Sequence, residues 1–103
     1  MEQELKQLRV GMTRTTARSC FPEYPKHTYT RSPNGWQATG RRPNDIFGLP
    51  DRARRVEQHY SLNIHSADEF TRSFGVFGPG LAGCFLFYNA YGRLVYFYSH
   101  SFS

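Results

Sequence analysis

The sequence predicts an α+β domain, with one or two short N-terminal helices packed on a three- or four-stranded antiparallel sheet that ends in a C-terminal β-hairpin. Three observations predict it. Residues 84–103 place aromatic and β-branched residues on either side of Asn89-Ala90-Tyr91-Gly92-Arg93. That short polar segment holds a glycine able to take the positive φ that closes a hairpin turn. The best helix formers and a threonine N-cap lie in the N-terminal part of the chain, while proline and glycine punctuate the middle. At 103 residues the chain is read as one domain spanning 1–103, long enough for one modest core.

Taken in order, residues 2–9 are helix formers with little apolar face, giving a short lead-in that Gly11 breaks. Thr13 is the expected N-cap of a helix running to about Cys20, stopped by Pro22 and Pro25. Thr16, Ala17 and Cys20 would face inward, with Arg14 and Arg18 outside. Residues 23–44 form a long loop insertion carrying Pro25, Pro33, Gly40 and Pro43 with Tyr24, Tyr29 and Trp36 interspersed. Within it Asn34-Gly35 is a candidate turn between Thr28-Tyr29-Thr30 and Trp36-Gln37-Ala38. A helical turn over 44–51 ends at Gly48 with a proline exit.

Residues 52–58 read both as helix and as strand. The alternation of Val56, Gln58, Tyr60, Leu62 and Ile64 with Glu57, His59, Ser61 and Asn63 favours a strand from about Arg55. Ser66 with Glu69 fits a capping box and predicts one helical turn. A glycine-rich connector over 75–83 then enters the hairpin. Counting in twos from its turn puts Cys84, Leu86 and Tyr88 on one face with Leu94, Tyr96 and Tyr98. Phe85 and Phe87 fall on the other with Val95 and Phe97.

The order of three motifs, Leu8-Arg9-Val10-Gly11-Met12-Thr13, Gly48-Leu49-Pro50-Asp51-Arg52 and Tyr88-Asn89-Ala90-Tyr91-Gly92-Arg93-Leu94, resembles the SmpA/OmlA family over about half the chain. This is the BamE-like fold, similar in architecture to β-lactamase inhibitor protein repeats. The resemblance implies helices on a small antiparallel sheet and a non-catalytic binding role. The chain departs from the family in the 22–43 insertion and in Asn89, where the family's hairpin turn carries an acid.

Composition narrows the function classes. The longest apolar run is far short of a membrane span, and Met-Glu-Gln-Glu-Leu-Lys has no charged-then-apolar signal pattern. The expected compartment is therefore the cytoplasm, or the periplasm if the N-terminus is trimmed. Cys20 and Cys84 make neither a disulfide framework nor a metal spacing, and read as two buried thiols, with a single bridge the alternative in an exported protein. No metal or other cofactor is expected. A net charge of +5 allows nucleic acid or another acidic partner.

The leading functional expectation is a protein-binding domain of inhibitor, immunity or adaptor type. It would contact another protein, or a second copy, through Phe85, Phe87, Val95 and Phe97 with Trp36 and Tyr29 from the loop. The alternative is a small basic RNA-binding protein or ribonuclease. Arg41, Arg42, Arg52, Arg54 and Arg55 would hold phosphates, and His59 beside Glu57, with His100 on the last strand, would supply acid and base.

Overall fold

The computed structural model describes the backbone of residues 2–22, 24, 26–32, 35–39, 49–74 and 80–102, and the side chains of residues 3–22, 24, 26–31, 53–71 and 83–99. Helix α1 (Glu2–Lys6) and helix α2 (Arg14–Ser19) lead into the hairpin of strands β1 (Lys26–Ser32) and β2 (Gly35–Thr39). Helix α3 (Leu49–Tyr60) and strands β3 (Ser66–Phe74), β4 (Gly80–Tyr88) and β5 (Leu94–Phe102) follow. The strands make one antiparallel sheet in the order β2-β1-β3-β4-β5. The α+β class and the terminal hairpin are as the sequence predicts. The sheet has five strands where three or four are expected, because much of the 23–44 segment is strand.

The N-cap of α2 is Thr13, in extended conformation, whose hydroxyl accepts from the Thr16 N–H at 3.2 Å. Ala17 is buried, and Cys20 is half-buried and caps the C-terminus. Thr16 is exposed, and Arg14 and Arg18 turn toward the sheet, the reverse of what the helical face predicts. The reason is a carboxylate on β3, Asp68, which draws both guanidinium groups.

Hairpin β1–β2 pairs Thr30 with Gln37, Arg31 with Trp36 and Ser32 with Gly35. The two segments pair as the candidate turn requires, but Gly35 belongs to the strand. The expected turn over 44–48 lies outside the described residues, and Leu49-Pro50-Asp51 opens α3, where proline's missing N–H costs nothing.

Residues 49–60 are helix, which overturns the strand expected from Arg55. Ala53, buried, and Val56 and Tyr60, three and seven residues further on, meet the sheet on one helical face. The helix closes on Ser61 at φ 54°, and the Leu62 N–H reaches back to the Glu57 carbonyl at 3.1 Å. This is a Schellman-type end with serine in the left-handed position that glycine usually fills. Residues 66–74 are likewise strand rather than a helical turn. As a strand they pair with both β1 and β4, and Glu69 bonds the Tyr29 hydroxyl at 3.0 Å instead of capping a helix. Gly80 to Gly83 are part of β4, not connector.

Two cores result, one on each face of the sheet. Leu8, Ala17, Phe21, Phe70, Cys84, Leu86, Tyr88 and Leu94 pack beneath α1 and α2. Tyr29, Ala53, Ile64, Ala67, Phe85 and Phe87 pack beneath α3. The turn from β4 to β5 is closed by Gly92 at φ 73° and by the Asn89 side chain, which accepts from the Tyr91 and Arg93 N–H groups. A bulge follows at once: Tyr88 pairs with Leu94 but Phe87 pairs with Tyr96. The extra residue changes which face each side chain of β5 from Tyr96 onward occupies. Tyr96 and Tyr98 therefore join Phe85 and Phe87, and Phe97 moves to the opposite face with Leu86.

Candidate functional site

Helix α3 covers the face that the sequence leaves for a partner. Phe87 is 0 % exposed, and Phe85 and Tyr29 are buried with it. These residues are core, not contact surface, because Ala53 is small enough to let the helix settle on the aromatic rings. Val95 is half-buried against the same cluster, and Phe97 is half-buried against the other. The Trp36 backbone, in β2, pairs with Arg31 of β1, and its side chain lies outside the described residues, as do Arg41, Arg42 and the side chains of Arg52 and His100.

What the helix leaves open is its C-terminal half. Between it and β5 lies a groove of about 350 Å³ lined by Arg55, Val56, His59, Tyr60, Tyr96 and Tyr98. Arg55 and His59 stand one helical turn apart, on the same side of α3. Tyr60 is 49 % exposed, and its ring centroid lies 4.7 Å from that of Tyr96 and 4.5 Å from the His59 ring. The Tyr96 and Tyr98 ring centroids sit 6.0 Å apart; both rings stack on the buried Phe87, and Tyr98 also lies tilted against Phe85. The groove floor is thus the upper layer of a packed aromatic core, and its tyrosines are held in place before any ligand arrives. The Tyr96 hydroxyl donates to the Tyr60 hydroxyl at 3.4 Å. That bond, with some desolvation, pushes the Tyr96 phenol up to about 12, so it stays neutral through the physiological range.

The acid–base pair expected of His59 and Glu57 does not form. On a helix, positions two residues apart diverge by about 200°, and Glu57 is engaged elsewhere. It is hydrogen-bonded by the Arg31 guanidinium and accepts from the Ile64 N–H at 3.0 Å. Arg54 and Arg55 are exposed. No helix among the described residues is long and apolar enough to cross a membrane, and no group of three or more His, Cys, Asp or Glu among them could hold a metal ion. Cys20 and Cys84 are free thiols.

No family model, curated protein or solved structure matches the chain.

Sequence reasoning missed Tyr60, Tyr96 and Tyr98 as site residues. The spacing of Ala53, Val56 and Tyr60 is the signal that finds the first. Strict alternation from the turn puts the other two on the wrong face, since nothing in Leu94-Val95-Tyr96 announces a bulge.

Proposed function

We propose that the protein is a non-catalytic protein-binding domain, of inhibitor, immunity or adaptor type, and that its contact site is the tyrosine groove between α3 and β5. The observation that carries this reading is the grouping of three partly exposed tyrosines with Arg55 and His59 on a rigid aromatic floor. Tyrosine and arginine are the residues over-represented where binding energy concentrates in protein interfaces, and rings already fixed by packing lose little freedom on binding. The wider chemistry points the same way. Arg14, Arg18 and Arg31 are paired with internal carboxylates, which leaves fewer of the described cations to track a phosphate backbone.

Affinity capture from a proteome with the wild type and a Tyr60→Ala/Arg55→Ala variant tests the reading, followed by direct titration of any purified partner that only the wild type retains. The expected result is a partner whose affinity falls at least about tenfold in the variant. Single-stranded RNA is titrated in parallel at low and high salt. If no protein distinguishes the two forms, while RNA binds the wild type and is lost with Arg54→Ala/Arg55→Ala, the groove is a nucleic-acid surface instead.

A further inference from the structure

Resting on that reading, we infer that the groove takes an extended, acidic segment of a partner protein, which adds a strand to the outer edge of β5.

The first ground is topological. β5 is the last strand of the sheet. Its first residue is covered, since the Leu94 N–H donates to the Met12 carbonyl at 2.9 Å and the Leu94 carbonyl accepts from the Gly11 N–H at 2.7 Å. Past Leu94 no strand among the described residues pairs with its outer side. An uncovered edge offers a row of N–H and C=O groups that an incoming strand can satisfy.

The second ground is register. Tyr96 and Tyr98 are two residues apart on that same strand and face the groove. A strand laid beside β5 turns every second side chain to this face at a repeat of about 6.8 Å. Its alternate residues would therefore meet Tyr96, with Tyr60 beside it, and then Tyr98.

The third ground is charge. Among the described residues, the side chains lining the groove include Arg55 and His59 and no acid. Glu57, the nearest acid along the helix, is held by Arg31 and the Ile64 N–H. Pairing of β5 with β5 of a second copy would bring two such arginine-bearing grooves together, in chains that each carry a net charge of +5. An acidic segment complements the site, whereas a second copy repels it.

The test is a selection of random twelve-residue linear peptides displayed on phage, followed by synthesis of the selected sequences. The expected peptides are rich in Asp and Glu and lose affinity at least about tenfold against Tyr60→Ala. They slow amide hydrogen exchange along β5 beyond Leu94. Arg55→Glu shifts the selection toward basic peptides, and N-methylation of alternate peptide amides abolishes binding. Peptides that depend on Tyr60 but are not acidic, or that tolerate every N-methylation, overturn the acidic-strand inference and leave the binding reading intact. A selection with no Tyr60-dependent peptide overturns both. Concentration-dependent dimerisation with protection of the β5 amides assigns the edge to a second copy and overturns the inference.

Discussion

Asp68 on β3 and Arg18 on α2, fifty residues apart, form a bidentate pair, with Nε 2.7 Å from Oδ2 and Nη2 2.9 Å from Oδ1. The carboxylate is fully buried and accepts two further bonds, from the Thr28 hydroxyl at 3.1 Å and the Tyr88 hydroxyl at 2.8 Å. Arg14 adds a second guanidinium 3.7 Å away and lies over the Tyr88 ring. The bonded carboxylate raises the Arg18 pKa further above its ordinary value. One acid thus ties helix α2 to three strands of the sheet.

Removing one partner strands the other. Asp68→Ala is expected to lower unfolding free energy by about 3–5 kcal/mol, since it leaves Arg18 and the Tyr88 hydroxyl without their acceptor. Asp68→Leu combined with Arg18→Met is expected to cost less than Asp68→Ala alone. Urea denaturation of these proteins together with the single variants Asp68→Leu and Arg18→Met reads the difference, and strict additivity of the two sites would contradict the pairing.

Alkali is expected to unfold the protein in a defined window. Burial pushes the Cys84 thiol up to about 12 from an ordinary 9.0. Burial and the neighbouring Asp68 charge raise Tyr88 above its ordinary 10.0. Folding keeps both protonated, so their contribution is intact below about pH 9 and is lost as the pH rises through the folded-state values. Thermal midpoints between pH 8 and 12 should fall, and Cys84→Ala should reduce the slope in the lower part of that range.

Phe87 and Tyr60 separate core from groove. Phe87→Ser is expected to cost about 3–5 kcal/mol, because it empties a site enclosed by α3 and the sheet. Tyr60→Ala should stay within about 1 kcal/mol of wild type, since half the side chain is already in water. Thermal denaturation checks both, and equal losses would place Tyr60 in the core.

Ser61→Gly is expected to stabilise the protein by about 1 kcal/mol, because a side chain at φ 54° works against the left-handed conformation. The gain should appear as a higher denaturation midpoint with an unchanged urea dependence.

The C-terminal hairpin, the Thr13 cap and the α+β class were legible because each rests on local chemistry: ring-rich strands around a glycine turn, and a hydroxyl ahead of a helix. Helix α3 was not. Its residues alternate as a strand would, and its terminus is marked by Ser61 where a glycine would have announced it. Strand β3 was hidden for the opposite reason. Ser66 and Glu69 imitate a cap, while the partners that make Asp68 tolerable in a central strand, Arg18, Thr28 and Tyr88, are remote in sequence. The site was half legible: Arg55 and His59 were singled out, but the helix that brings them to Tyr96 and Tyr98 was not.

The bulge after Tyr88 works as a parity bit for the last strand. With it, two phenols roof one core and Phe97 serves the other; without it, the same residues would exchange roles. Deleting Val95 would leave composition and charge nearly untouched, yet it would turn Phe97 toward α3 and hide Tyr96 and Tyr98 under α2. The identity of the groove is therefore stored as a count of residues between the turn and the first tyrosine, and insertions or deletions there would reassign it more completely than any single substitution.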